Sequence, residues 1–184
     1  MSLHAFTIPV FQQMLSSLSG ELEKAKKFVE AKNESVEDLM EARLAPDMFP
    51  LSMQVRFVCI QALLAISKLT GKEMVDGNNL DSFGDGFEDI KSLLSTTSDF
   101  VSSIKEEDMD NEDINRKITL DLPNKMSFEM TALEFVRDWT TAQFYFHLVT
   151  AYAIMRNKGV DLGKADYVRY MFRYSKQENN NPVE

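Results

Sequence analysis

The sequence predicts an all-α protein built as a bundle of four long helices, and three observations support this prediction. The 184 residues include only seven glycines and five prolines, fewer turn formers than a many-stranded sheet needs. Apolar residues recur with the helical period of 3.6 along four stretches of roughly 17–26 residues, joined by two substantial connections. Residues 177–184 are polar and resemble a disordered tail, so we expect residues 1–176 to form one domain.

The first long helix is predicted over residues 8–32. Pro9 suits a first helical turn, where its missing N–H would have no partner, and Thr7 is a candidate N-cap. The apolar face follows at Phe11, Met14, Leu15, Leu18, Leu22, Ala25 and Val29. Ser35, with Asp38 three residues later, is expected to open a short helix that ends near residue 42.

The second and third long helices lie on either side of a polar loop. The second is predicted from Pro50 to Thr70, with Gly71 ending it, and the third over residues 87–104. Residues 72–86 carry carboxylate and amide side chains at a spacing that suggests calcium ligands: Asp76, Asn78, Asp81 and Asp85. No alignment places Gly and Glu where an EF-hand requires them, so we interpret this segment as a polar loop.

A small β-hairpin is predicted before the last long helix. Residues 117–122 and 125–128 alternate apolar and polar side chains on either side of the turn dipeptide Pro123-Asn124, a pattern typical of a hairpin. Because an isolated two-stranded hairpin is only marginally stable, we expect this one to lie against the bundle.

The last long helix is predicted to begin at a capping box formed by Thr131 and Glu134. The β-branched pair Thr140-Thr141 indicates a kink or break within this helix, and Gly159 ends it. Residues 161–174 are expected to form a short helix that folds back on the core.

The stretch 131–159 is the longest apolar helical segment and contains one of only two histidines, His147. From Ala142 to Met155 its polar interruptions are few. A helix that is apolar nearly all round is typically buried among other helices. We therefore expect this stretch to be the central helix, with His147 pointing either into the packed core or into a small pocket.

The charge balance argues against nucleic-acid binding. The formal net charge is −9 and the pI is near 4.8, whereas sequence-independent binding of a phosphate backbone requires a basic surface. The tightest basic cluster, Lys24, Lys26 and Lys27, is diluted by neighbouring glutamates. We expect no nucleic-acid partner.

Three features predict a cytoplasmic protein without a membrane partner. Cys59 is the only cysteine, so no internal disulfide can form and nothing indicates an oxidising compartment; we expect a buried, inert thiol. The first residues lack the basic and apolar regions of a secretory signal. We also expect no apolar run to reach the ~20 residues of a membrane span.

Three stretches carry a resemblance to a known family: ARLAPDMFPL (42–51), FYFHLVTAYAIMRNKGV (144–160) and LGKADY (162–167). They resemble a bacterial family of unknown function within the DinB/YfiT-like superfamily. The resemblance covers nearly the whole chain and implies a four-helix bundle with a long crossover, frequently assembled as a homodimer. It also implies, for catalytic relatives, a divalent metal held by three bundle histidines; these relatives include thiol-dependent S-transferases and a maleylpyruvate isomerase.

The chain departs from the metal-binding pattern of those relatives. His147 corresponds to one ligand of the last helix, but Ala151 stands four residues after it and Gln143 four residues before it. The second long helix offers Gln54 and Gln61 but no histidine. Because a catalytic zinc or nickel site needs about three imidazole or carboxylate ligands, we expect no metal and no other cofactor.

The candidate ligand-binding residues are Asp47, Gln54, His147 and Tyr152. His147 is the candidate catalytic residue, because the unperturbed imidazole pKa lies near cellular pH. Asp47 is also the expected N-cap of the second long helix, with Arg43 as an ion-pair partner. Two functions remain open: a metal-free bundle that binds a small apolar or thiol-bearing ligand or acts as a dimeric interaction protein, and a thiol-dependent transferase or isomerase that uses His147 at a reduced site.

Overall fold

The structure is a computed structural model that describes residues 2–73, 83–109, 113–122 and 125–176. The helices are α1 (Leu3–Ala31), α2 (Val36–Met40), α3 (Leu51–Thr70), α4 (Phe87–Ser103), α5 (Glu106–Met109), α6 (Ala132–Glu134), α7 (Thr141–Asn157) and α8 (Lys164–Tyr167). A π-helical segment (Phe135–Thr140) joins α6 to α7, and a 3₁₀ segment (Arg169–Tyr174) follows α8. Two strands, β1 (Lys117–Asp121) and β2 (Ser127–Thr131), precede α6.

The four long elements α1, α3, α4 and α7 form the predicted bundle. Helix α1 packs against α4 and α7, and α3 packs against the same two helices, so α1 and α3 occupy opposite corners. The centre contains Phe135, Phe144, Met14, Leu18, Leu51 and Ile66, each less than 2% exposed. The apolar stripe predicted for α1 is buried, and α3 and α4 each bury an apolar side as well, which confirms the four-helix-bundle prediction.

The first helix begins earlier than predicted. Its N-cap is Ser2, whose hydroxyl accepts a hydrogen bond from the Ala5 N–H at 2.9 Å. Pro9 lies inside the helix, and Thr7 is buried there with its hydroxyl donating to the Leu3 carbonyl at 2.8 Å. The prediction that Thr7 and Pro9 mark the helix start was wrong. Burial of the apolar turn that contains Leu3 extends the helix toward the N-terminus, so that Pro9 lies inside it.

The β-hairpin is confirmed. Strands β1 and β2 pair antiparallel, with Lys117 opposite Thr131. Ile118 and Leu120 point inward and are nearly fully buried, and Lys68 of α3 donates to the Thr119 carbonyl at 3.0 Å. The hairpin therefore lies against the bundle, as its marginal independent stability requires.

The last long helix begins and bends close to where the sequence indicates. The Glu134 N–H donates to the Thr131 hydroxyl at 3.2 Å, and the Thr131 N–H donates to the Glu134 carboxylate at 2.8 Å, which confirms the capping box. The predicted irregularity is the π-helical segment, and the Thr141 hydroxyl donates to the Val136 carbonyl at 2.8 Å. Such a side-chain bond to a backbone carbonyl is a recognised cause of helix distortion.

Helix α3 is the one described helix with the length and apolar composition of a membrane span, and the expectation that no run reaches this length was wrong. About half of its apolar window, 56%, is buried inside the bundle. The helix also carries the buried Gln54 and Arg56, which bond within the protein. Its apolar character therefore reflects its position in the core.

The C-terminal end follows the predicted outline. Helix α7 ends at Asn157, and Gly159 lies just beyond its C-cap with a positive φ of 86°. The Val160 N–H then donates to the Met155 carbonyl at 3.1 Å. Helix α8 and the 3₁₀ segment then pack against α1. The turn residues 123–124, the loop residues Asp76, Asn78 and Asp81, and the predicted tail 177–184 lie outside the described residues.

Candidate functional site

Two of the four candidate residues meet where α3 packs against α7. His147 Nδ1 lies 2.9 Å from Gln54 Oε1, and Gln54 Nε2 donates to the Phe49 carbonyl at 3.2 Å. Because that donation points the amide oxygen of Gln54 toward the imidazole, Nδ1 is the protonated ring nitrogen. The tautomer leaves a lone pair on His147 Nε2, which makes no hydrogen bond within the described parts of the chain.

Two phenylalanines contact the His147 ring, and a third phenylalanine contacts one of these two. The ring centroid of Phe57 lies 4.7 Å from that of His147, and the centroid of Phe146 lies 5.2 Å away on another side. Phe49 extends the series with a centroid 5.1 Å from Phe57. We call Phe49, Phe57, His147 and Phe146 the ring row. Partial burial lowers the pKa of His147, so the imidazole is neutral at cellular pH.

The ring row lies at the surface, contrary to the expectation for its helix. His147 is half-buried, Phe146 is 56% exposed and Phe49 is 56% exposed. The prediction that α7 is buried all round was therefore wrong. The helix occupies a corner of the bundle, so one of its sides faces solvent although the residues there are apolar.

Helix α7 exposes a second apolar stripe, which the sequence reasoning missed. It consists of Ala142, Phe146, Val149 and Ala153, which are exposed or half-exposed; we call it the α7 stripe. The spacing of four, three and four residues is that of a helix–helix seam. The signal that predicts it is present in the sequence, because these four residues keep the seam spacing alongside the buried stripe.

Asp47 and Tyr152 lie outside this cluster. Asp47 is exposed and forms no hydrogen bond or ion pair with a described residue. The N-cap of α3 is Pro50, without a side-chain cap, and Arg43 donates to the Met48 carbonyl at 2.6 Å. The predictions of Asp47 as N-cap and ion-pair partner were therefore wrong: Pro50 already has the extended backbone of a cap.

Tyr152 faces the C-terminal segment. Its hydroxyl donates to the Leu162 carbonyl at 3.4 Å, and its ring packs edge-on against Tyr167 with centroids 5.8 Å apart. This placement gives Tyr152 a packing role between α7 and α8, on a different contact from that of His147 and Gln54.

The donor set around His147 does not fit a transition metal. It supplies one imidazole and an amide oxygen that already bonds to that imidazole, and Ala151 stands where a second histidine of the helix would be. Within residues 2–73, 83–109, 113–122 and 125–176, no three His, Cys, Asp or Glu side chains group in a way that could hold a metal ion. The three-ligand requirement of such a centre is not met here.

Cys59 offers no nucleophile to the site. It is fully buried in α3, and burial raises the pKa of its thiol to about 12. Because the thiolate is the reactive species, the thiol is inert in the folded protein, as predicted.

A buried carboxyl on α1 was also missed. Glu21 is 2% exposed, and both of its carboxyl oxygens lack a hydrogen-bond partner among the described residues. Burial and the nearby charge of Asp166 raise the Glu21 pKa to about 8. Glu21 lies three residues after Leu18 and four before Ala25, and this position within the apolar stripe is the signal that could have revealed its burial.

The fold and the arrangement of α3 and α7 define a DinB-like helical bundle. The crystal structure of a DinB family member from Shewanella denitrificans matches with a TM-score of 0.79 and 27% identity, covering 98% of this chain and 96% of that one. The chain belongs to the family described as Domain of unknown function (DUF1993), whose model matches residues 3–168. No curated protein matches the chain.

Proposed function

We propose that this protein is a metal-free, DinB-like homodimer whose subunits meet along the α7 stripe, with the ring row beside the interface. The observation that carries the proposal is the exposed seam spacing on α7. Phe146 and Val149, 56% and 49% exposed, are one helical turn apart on the same face. Large exposed apolar patches on a soluble protein mark interaction sites.

A second copy of the chain is the partner that fits this stripe. In a two-fold dimer each subunit presents the same patch to the other, so the patch must complement itself. The α7 stripe and the ring row contain no charged side chain, since His147 is neutral at cellular pH. A chain with a net charge of −9 repels its own copies, so an uncharged apolar seam is where two copies can approach.

The donor set supports the metal-free part of the proposal. One imidazole and an occupied amide oxygen are too few ligands, and relatives with a three-histidine site bind metal through residues that this chain lacks. We therefore interpret the site as a degenerate form of the metal centre, with no cofactor, in a protein of the bacterial cytoplasm. Elemental analysis of untagged protein should find less than one zinc or nickel ion per chain, and stoichiometric metal would contradict the proposal.

The assembly is tested by sedimentation velocity over a range of protein concentrations. We expect the wild-type protein to be dimeric and Val149→Glu to be monomeric, because the variant places two carboxylates across the apolar seam. Phe172→Glu is the matched control: Phe172 is 61% exposed and lies in the 3₁₀ segment that packs on α1. A monomeric wild type, a dimeric Val149→Glu or a monomeric Phe172→Glu would each contradict an α7 interface.

A second function, a thiol-dependent transferase or isomerase, is favoured by the free lone pair of His147 Nε2. The imidazole would take the proton of a substrate thiol, the thiolate sulfur would bond to an electrophilic carbon, and the imidazolium would return the proton to the leaving group. His147→Gln would then abolish turnover of a small thiol with an activated electrophile while the melting temperature stays within a few degrees of wild type. Absence of thiol-dependent turnover by the wild type would exclude this function.

A further inference from the structure

A separate cavity lies on the side of α7 that faces α1. It has a volume of about 370 Å³ and lies between the first turns of α1, the π-helical segment and the start of α7. Its walls are formed by Leu3, Phe6, Val10, Leu133, Val136 and Tyr145, with Arg137 and Thr141 completing the lining. Small-molecule sites are typically apolar clefts of ~300–1,000 Å³ with a few placed polar groups.

Of the three polar side chains that line the cavity, two already have hydrogen-bond partners within the protein. The Thr141 hydroxyl already donates to the Val136 carbonyl at 2.8 Å. Arg137 is held by Asp138 through two hydrogen bonds of 2.6 Å, so its charge is balanced. The Tyr145 hydroxyl makes no hydrogen bond within the described residues, and it remains a donor because partial burial raises the Tyr145 pKa.

We propose that this cavity binds a small, uncharged, largely apolar molecule that carries one hydrogen-bond acceptor, which receives the Tyr145 hydroxyl. An anion would have to displace Asp138 from Arg137, and a cation would find no carboxylate among the described lining residues. Phe6 is 61% exposed at the cavity, and an apolar ligand beneath it would remove that ring from water.

The π-helical segment contributes directly to the cavity. Val136 and Arg137 belong to it, and Thr141, which bonds back to Val136, is the first residue of α7. A π-helical segment changes the rotational position of the residues on either side of it, and such segments are frequent at functional sites. The cavity is independent of the α7 stripe, because Tyr145 faces α1 whereas Phe146 faces solvent.

The proposal is tested with two uncharged probes of similar shape, 2-acetylnaphthalene, which has a ketone acceptor, and 2-ethylnaphthalene, which does not. Binding is followed by NMR shifts of the protein methyl groups. We expect saturable binding of one molecule per chain, with shifts confined to the cavity. Val10→Trp and Leu133→Trp, which fill the cavity from α1 and from α6, should each weaken binding at least tenfold. Met171→Trp adds the same ring at an exposed position of the 3₁₀ segment and should leave binding unchanged.

Tyr145→Phe separates the polar part of the proposal from the apolar part. The variant should bind 2-acetylnaphthalene about fivefold more weakly, the loss of one neutral hydrogen bond, and should bind 2-ethylnaphthalene as the wild type does. Equal affinity for the ketone in both proteins would overturn the acceptor requirement. Lack of saturable binding, or unchanged binding in both cavity-filling variants, would overturn the site. Probe binding that dissociates the dimer would also overturn it, because a second copy of the chain would then be the occupant of the cavity.

Discussion

Replacing Glu21 with glutamine should make the protein more stable at neutral pH and remove part of its pH dependence. Glu21 is 2% exposed, its oxygens have no described hydrogen-bond partner, and Asp166 places a like charge nearby. The Glu21 pKa therefore rises from 4.5 to about 8. Folding at neutral pH requires the carboxyl to take up a proton that it lacks in the unfolded chain.

The sign and size of the effect follow from this difference in proton binding. Below the unfolded pKa of 4.5 the carboxyl is protonated in both states, so it has no effect on stability there. Between 4.5 and about 8 the folded state holds one more proton, so stability falls as the pH rises, and above about 8 the loss levels off. Each pKa unit corresponds to about 1.4 kcal/mol, which gives a loss of about 2.5 kcal/mol between pH 5 and pH 7.

Urea denaturation at several pH values from 5 to 9 measures this loss. The free energy of unfolding of the wild type, relative to that of Glu21→Gln, should fall by about 2.5 kcal/mol between pH 5 and pH 7. The variant should be the more stable protein at pH 7. Glu30→Gln on the same helix is the matched control, because Glu30 is exposed, and it should reproduce the wild-type slope. A difference that does not vary with pH would refute the reasoning, since it would mean that Glu21 is ionised in the folded protein.

Three further predictions concern other buried or capped groups. Gln54→Leu removes the partner of His147 Nδ1, so ¹⁵N NMR should show a single Nδ1–H tautomer in the wild type and a mixture in the variant. The Cys59 thiol, with a pKa of about 12 and no exposure, should resist a thiol reagent at pH 8 until urea unfolds the protein. Thr131→Ala removes the capping box and should lower stability by about 1 kcal/mol in thermal unfolding.

Each of these predictions has a result that contradicts it. A mixture of tautomers in the wild type would mean that Gln54 does not orient the ring. Rapid modification of Cys59 in the native protein would mean that α3 opens locally. Unchanged stability of Thr131→Ala would mean that the π-helical segment, rather than the cap, determines where the helix begins.

Local sequence rules predicted the parts of the fold that depend on neighbouring residues. Ser35 caps α2 as expected, with the Asp38 N–H donating to its hydroxyl at 3.2 Å, and Gly71 ends α3 with a positive φ of 69°. The same rules failed at Pro9 and Asp47. At Pro9 the outcome depended on partners distant in sequence, since burial of the first turn of α1 outweighed the proline signal. At Asp47 the cause was local, because Pro50 already has the extended backbone of the N-cap.

Only part of the candidate site was predicted, because its geometry depends on residues that are distant in sequence. The contact between His147 and Gln54 joins residues 93 positions apart, and the relative position of the helices that brings them together is a property of the whole bundle. The resemblance to DinB-like proteins indicated which two helices face each other. The periodicity places Glu21 within the apolar stripe of α1, but its burial was missed because a carboxylate is normally assigned to the solvated face.

The exposed apolar side of α7 supports the function we propose. A helix apolar all round was expected to be surrounded by its own chain, yet α7 has bundle neighbours only on part of its circumference, and Phe146 and Val149 remain 56% and 49% exposed. The buried stripe accounts for packing against α3 and α1, whereas the exposed stripe has no such explanation within the described chain. A corner helix with both stripes is suited to bind its own bundle on one side and another subunit on the other. The apolar composition that led to the burial prediction is therefore the composition that an α7 interface requires.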